Sequence, residues 1–248
     1  MTKYIKPIFF GVADPNKFSQ GLNMILESLV TEGVYAGDNF FVMGRNLSFL
    51  EDTAFIQAFS RNAKTEVERA VLWRTAVILW GVRNALHLEG DLVECACYKG
   101  TTAKIICDTV NFDQYPQKKY YLYDLFEHND TTPHSELTEH GEDLADKVRE
   151  KFKHYDNVIV TQGRVPDVLA DVAPDKIAFM HLDLNHAQAE LGALECLFER
   201  MTPGAILILD DYGWLDYREQ KLIEDPWFQQ HGYHVLELPT GQGMVIKH

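Results

Sequence analysis

The sequence predicts an α/β fold: a mostly parallel, seven-stranded sheet with helices on both faces, preceded by a helical cap. Three observations predict it. Past Gly90, short apolar runs alternate with longer stretches whose apolar residues fall at helical spacing. The short runs are apolar almost throughout, as strands covered on both faces must be. The chain then closes on two apolar runs around Thr240-Gly241-Gln242-Gly243, a hairpin signal that makes the last strand antiparallel.

Each element follows from its pattern. Before Gly90, Lys17–Glu32 and Phe49–Ser60 read as helices, and Val67, Val71, Arg74, Ile78, Val82 and Leu86 mark one face of a longer one. Asp52 and Thr65 supply caps. Residues 1–89 are therefore expected as a helical cap that serves as substrate and oligomer region, and 90–248 as the cofactor-binding α/β domain. Strands are expected at Leu92–Cys97, Tyr120–Leu125, Val158–Thr161, Ile177–Leu182, Ala205–Leu209, Tyr233–Leu238 and Met244–Lys247. Between them fall helices near Thr101–Val110, Glu142–Phe152, Pro166–Ala170, Ala187–Arg200 and Tyr217–Glu224.

With 248 residues, 46% of them hydrophobic, the chain can bury a full core. A net charge of −14 argues against a broad nucleic-acid footprint, which needs clustered Lys and Arg. No run is apolar enough for a signal-peptide core or a membrane span. Cys95, Cys97, Cys107 and Cys196 lack a zinc spacing and read as reduced thiols of a cytoplasmic protein.

In an open parallel sheet, ligands bind beyond the carboxyl ends of the strands. After the first strand of the α/β domain, a dinucleotide turn would place glycines at Ala96, Tyr98 and Gly100, and only the last is glycine. Tyr98 and Lys99 crowd the path a pyrophosphate needs, so a cofactor without phosphates, such as S-adenosylmethionine, fits better than NAD. Glu94 is placed to meet its ammonium, or simply ends the strand. Backbone N–H groups around Gly100, Thr101 and Thr102 are placed for its carboxylate. Asp124 lies 30 residues beyond Glu94 (124 − 94) and suits the ribose hydroxyls. Phe126 either packs on the adenine or belongs to the core, and Gln162, Gly163 and Arg164 border the adenine edge.

The next two strands end in acids: Asp183, then Asp210 and Asp211. Converging carboxylates repel unless a cation lies between them, and oxygen ligands suit a hard ion such as Mg²⁺. Alternatively, each is a helix cap or a backbone acceptor. His181 lies in an apolar strand and reads as core. His186, past the strand end, is the better general base, with Asp183 its competitor. The loop after Phe126 carries Glu127, His128, Asp130, His134, Glu136, Glu139 and His140, a solvated run or a lid.

Taken together, these segments resemble the macrocin O-methyltransferase (TylF-like) family. Gly90-Asp91-Leu92-Val93-Glu94-Cys95-Ala96-Cys97-Tyr98-Lys99-Gly100, Tyr123-Asp124-Leu125-Phe126, His181-Leu182-Asp183-Leu184-Asn185, Pro203-Gly204, Asp210-Asp211-Tyr212-Gly213 and Leu238-Pro239-Thr240-Gly241-Gln242-Gly243 carry the likeness, over roughly residues 65–248. The resemblance implies a seven-stranded class I fold, S-adenosylmethionine, and a divalent ion on Asp183, Asp210 and Asp211, with Asp183 also as general base. Ala96 stands where the family usually has glycine. Asn185, His186 and Ala187 replace its acid-apolar-tyrosine run.

The leading expectation is metal-assisted O-methylation of a hydroxyl on a small molecule such as a sugar, by a homodimer or higher homo-oligomer. Three others stay open: an N-methyltransferase or metal-free enzyme with His186 as base, an NAD-dependent oxidoreductase, and a non-catalytic cofactor-binding protein.

Overall fold

The computed structural model describes residues 3–127, 141 and 143–248. The chain divides into two compact units, Met1–Ala76 and Val77–His248. The division falls earlier than Gly90, and the first unit holds strands as well as the expected helices.

In that first unit, β1 (Lys3–Ile5) is followed by α1 (Pro15–Ser28), β2 (Val34–Gly37), β3 (Phe40–Val42), α2 (Thr53–Asn62), α3 (Glu66–Ala70) and the start of α4 (Leu72–Ala85). β1 pairs parallel with β2, which pairs antiparallel with β3. Asp38 and Asn39 form the two-residue turn between β2 and β3 with φ of 52° and 54°, the left-handed pair that a tight hairpin demands. Short strands of three and four residues leave too little alternation to see in sequence, which is why this sheet was not expected.

The capping expectations hold. Asp52 accepts from Phe55 N at 3.0 Å, and Thr65 with Glu68 forms a reciprocal capping box. The single helix expected over 67–86 is instead broken at Val71, between α3 and α4. The cause is Tyr35. Its hydroxyl donates to Ala70 O at 2.6 Å, occupying the carbonyl that the next helical turn would use. Tyr35 is buried among Tyr4, Phe40, Phe49 and Trp73, with ring centroids 5.2–6.5 Å away.

The second unit carries the large sheet. After α4 come β4 (Asp91–Cys95), α5 (Thr101–Val110), β5 (Tyr120–Asp124), α6 (Leu144–Phe152), β6 (Val158–Gln162), α7 (Leu169–Val172) and β7 (Ile177–Leu182). Then follow α8 (Ala187–Leu197), β8 (Met201–Leu209), α9 (Arg218–Gln230), β9 (Leu236–Glu237) and β10 (Gly243–Ile246). The strand order is β6-β5-β4-β7-β8-β10-β9. The first five run parallel, while β10 is antiparallel to both β8 and β9. This is the seven-stranded sheet the sequence predicts.

The chain leaves β4 toward β5 on one side and comes back through β7 on the other. That reversal opens a crevice above the carboxyl ends of β4 and β7. The sheet is apolar where it is covered: every residue of β7 is buried, and Leu92, Val93, Leu207 and Ile208 are at most 0% exposed.

Candidate active site

The turn leaving β4 is built as a glycine-rich turn with few glycines in it. Ala96, Tyr98 and Gly100 have φ of 68°, 48° and 63°, so the three alternate positions all adopt the left-handed conformation. Backbone bonds hold them there: Ala96 N and Cys97 N donate to Tyr123 O at 2.8 and 3.1 Å, and Gly100 N donates to Cys97 O at 2.7 Å. A Cβ at Gly100 would stand 2.8 Å from the Phe152 ring, so glycine is required there on two counts. Gly100 opens α5, whose first N–H groups at Thr101 and Thr102 face outward from a helix end suited to a carboxylate. Lys99 lies over the Tyr98 ring at 5.4 Å.

Asp124 closes this turn. Its two carboxylate oxygens accept from Tyr98 N and Phe126 N, each at 2.7 Å, which ties the ends of β4 and β5 together. Gly163 N donates to Asp124 O at 2.9 Å, bringing the end of β6 to the same edge. Gln162 is exposed and donates to Leu125 O and Glu127 Oε1, and Arg164 is exposed beside it. Phe126 is 0% exposed, which makes it core rather than an open adenine platform. His128, Asp130, His134, Glu136, Glu139 and His140 lie outside the described residues.

Glu94 has partners other than those expected. It is buried in the sheet, accepts from Tyr120 Oη at 2.8 Å and lies 3.5 Å from His181 Nδ1. His181 Nε2 in turn lies 3.4 Å from Asp210 Oδ1. These are ion-pair contacts, longer than a well-made hydrogen bond. Burial pushes the His181 pKa down, but Asp210 and Glu94 on either side outweigh it and lift it well above the usual range. The histidine expected as core filler is thus the hub of a buried polar string from Tyr120 to Asp210. Its signal in the sequence is spacing. His181 lies two residues before Asp183, on one strand face, and sits in register with Glu94 on β4.

At the catalytic edge, His181, Asp183 and Asp210 bring ligand atoms within 4.8 Å of one another. Asp183 N donates to Cys95 O at 3.1 Å and Asp210 N to Leu182 O at 2.9 Å, so backbone bonds aim both acids at the crevice. Asn185, at φ 54°, donates to Asp183 Oδ1 at 3.2 Å. Among the described residues Asp211 is not in the converging trio. Asp210 and Asp211 both lie in the turn that follows β8. The two carboxylates within that span, Asp183 and Asp210, suit a divalent cation chemically. Gln242, fully buried, donates to Asp210 Oδ1 at 2.9 Å and accepts from Thr240, an arrangement that sequence reading missed.

His186 does a different job. It caps α8, its Nδ1 accepting from Ala189 N at 3.3 Å, and its ring is exposed.

A sheet of this order, with β10 antiparallel to its neighbours, defines a class I S-adenosylmethionine-dependent methyltransferase fold. Residues 64–231 match the macrocin-O-methyltransferase (TylF) family, and the chain belongs to that family. A curated relative, the 8-demethyl-8-(2,3-dimethoxy-alpha-L-rhamnosyl)-tetracenomycin-C 4'-O-methyltransferase of Streptomyces olivaceus, is 27% identical over 161 residues. That match takes in 56% of this chain and 62% of the relative, under two thirds of its length. Among solved structures, the O-methyltransferase NovP has a TM-score of 0.62 at 16% identity, covering 72% of this chain and 81% of its own. The calicheamicin methyltransferase CalS11 has a TM-score of 0.61 at 13% identity, covering 96% and 95%. The S-adenosylhomocysteine-bound PaMTH1 of Podospora anserina has a TM-score of 0.54 at 12% identity, covering 97% and 100%. At these identities the solved structures speak for the fold. Among the described residues, no helix is long and apolar enough to cross a membrane.

Proposed function

We propose that this protein transfers the methyl group of S-adenosylmethionine to a hydroxyl of a small molecule, a sugar or a sugar-bearing natural product. The observation that carries the reading is the convergence of His181, Asp183 and Asp210 beside the turn that Asp124 closes. The acceptor class is supported by family membership and by the rhamnosyl compound named for the Streptomyces relative.

The reaction is a displacement. The acceptor oxygen attacks the sulfonium methyl carbon, the carbon–sulfur bond breaks with its electrons passing to sulfur, and S-adenosylhomocysteine leaves. The hydroxyl proton passes to Asp183, the half-buried acid of the trio. Asp124 and the N–H groups of Thr101 and Thr102 hold the ribose and carboxylate ends of the cofactor. Asp183 and Asp210 are the residues that would hold a divalent cation such as Mg²⁺, together with Asp211 as the third acid of these strand ends, while His181 stands behind them between Glu94 and Asp210. What a bound cation supplies there is a lower pKa for the hydroxyl and compensation for the developing oxyanion. The protein is further proposed to act as a homodimer, which light scattering tests against the 28.4 kDa chain mass.

The test is methyl transfer to rhamnoside and other deoxysugar acceptors after exhaustive chelation, with and without added Mg²⁺. Activity restored by the ion, and lost in Asp183→Asn with S-adenosylhomocysteine binding intact, is the expected result. Full activity in the chelated enzyme, together with its loss in His186→Ala, would replace this mechanism with a metal-free one based on His186.

A further inference from the structure

Behind the catalytic edge, α8 and α9 enclose three polar side chains with no assigned role: Glu190, Gln220 and Glu224, respectively 2%, 2% and 0% exposed. Glu190 Oε1 accepts two hydrogen bonds, from Gln220 Nε2 at 2.6 Å and from the backbone N–H of Leu184 at 3.0 Å. Both carboxylate oxygens of Glu224 are buried without a hydrogen-bond partner among the described residues. A buried carboxylate in that position is costly unless a proton or a cation is shared with it.

Leu184 is the residue after Asp183. The segment from Asp183 to His186 belongs to neither β7 nor α8, and it turns through Asn185 in the left-handed conformation. Asp183 N is held from one side by Cys95 O at 3.1 Å. On the other side, the next amide is held by a side chain six residues further on rather than by a strand or a helix. The peptide following Asp183 is therefore held at its N–H by Glu190 and at its carbonyl by Asn185 Nδ2 at 3.2 Å, and with it the direction in which Asp183 leaves the sheet.

We infer that Glu190 is a positioning residue for Asp183, anchoring the Leu184 amide from behind with Gln220 and Glu224 as its support. The inference deepens the proposed function and rests on it for the role of Asp183. Protonation agrees with the geometry: burial and the neighbouring Glu224 raise the Glu190 pKa well above the ordinary carboxyl range. The raised pKa favours the protonated acid, one oxygen of which accepts from Leu184. A glutamine at position 190 reproduces that neutral form, with an acceptor oxygen and an N–H donor. A methionine fills the same space without either, and leaves the Leu184 N–H and Gln220 Nε2 without the acceptor they share.

The experiment compares Glu190→Met and Glu190→Gln with the wild type by three measurements. Hydrogen exchange at Leu184 needs neither cofactor nor acceptor. Calorimetry with S-adenosylhomocysteine reads the cofactor site. Methyl transfer to a deoxysugar acceptor reads kcat and KM. Glu190→Met should melt below the wild-type temperature while still folding, exchange the Leu184 amide about tenfold faster, and lose about tenfold in kcat, the equivalent of one hydrogen bond. Its KM for S-adenosylmethionine and its S-adenosylhomocysteine affinity should stay within about twofold. Glu190→Gln should restore both exchange and kcat to within about threefold. Unchanged Leu184 exchange in Glu190→Met, or equal damage from Met and Gln, overturns the inference. A wild type that binds S-adenosylhomocysteine but methylates no acceptor tells instead against the proposed function, and Leu184 exchange then decides the anchoring by itself.

Discussion

The Gln242 side chain donates to Asp210 Oδ1 at 2.9 Å, so the turn of the terminal hairpin holds an acid of the catalytic edge 32 residues before it in sequence. Gln242 is 0% exposed and its own carbonyl oxygen is occupied by Thr240 Oγ1 at 2.9 Å, which fixes the amide orientation. Gln242→Leu removes the donor and leaves Asp210 short of one partner in a buried place. The expected cost is about 1–3 kcal/mol of stability. The expected loss in methyl transfer is larger than any change in S-adenosylhomocysteine affinity, because Asp210 belongs to the acids proposed to hold the cation and not to the turn proposed to hold the cofactor. Thermal melts and calorimetry on the one variant separate the two effects.

Asp124→Ala should remove cofactor binding and loosen the turn that forms the site. Both carboxylate oxygens accept backbone N–H groups at 2.7 Å, and bonds of this charged kind contribute about 1.5–3 kcal/mol each. Asp124→Asn keeps the shape but has only one acceptor oxygen, so it should bind S-adenosylhomocysteine more weakly than wild type and better than Ala. Equal cofactor affinity in all three proteins would remove Asp124 from the site.

Glu190 makes stability depend on pH with a definite sign. Burial, and then its neighbour Glu224, raise the Glu190 pKa well above the unfolded value of 4.5, so the folded protein holds a proton that the unfolded chain releases. The stability this proton contributes is complete below pH 4.5 and is lost as pH rises through the folded-state value. Glu224 is shifted in the same direction, first by burial. The melting temperature of the wild type should therefore fall on the alkaline side, and Glu190→Gln, which cannot ionise, should flatten that fall. Parallel melting curves against pH for the two proteins would contradict the assignment.

How much of this was legible in the sequence depended on whether a residue's role was local. The parallel strands, the caps at Asp52 and Thr65, and the acids at strand ends all announce themselves within a few residues of chain. Asp124 and Asp183 could be placed because a strand end fixes where the next residue points. The roles of Glu94, His181 and Glu190 could not be so placed, since each is set by a neighbour 6 to 87 residues away (190 − 184 for Glu190 and Leu184; 181 − 94 for His181 and Glu94). An acid in an apolar strand looks like an end marker until the strand beside it supplies a histidine. The break at Val71 was hidden for the same reason: helical periodicity runs through it, and only the distant Tyr35 hydroxyl removes the carbonyl that would have continued the helix. The three-stranded sheet of the first unit was missed because its strands are shorter than the period needed to recognise them.

Ala96 and Gly100 should respond in opposite directions to the exchange of alanine and glycine. Both sit in the left-handed region, at φ of 68° and 63°. For an alanine that conformation costs about 1–2 kcal/mol through crowding of Cβ against the backbone. Glycine escapes that cost but loses about 0.4–1 kcal/mol to the greater freedom of the unfolded chain. The difference favours glycine at position 96, where Ala96→Gly should gain about 0.5–1 kcal/mol and raise the melting temperature by about 1–4 °C for a chain of this size. Gly100→Ala meets the same backbone penalty and also a contact of 2.8 Å with the Phe152 ring, so it should lose more than Ala96→Gly gains. It should also weaken S-adenosylhomocysteine binding, because relief of that contact moves the start of α5, where Thr101 and Thr102 present their N–H groups. Ala96→Gly should leave that binding unchanged or tighter. A lower melting temperature for Ala96→Gly would show that its Cβ is packed well enough to outweigh the backbone strain.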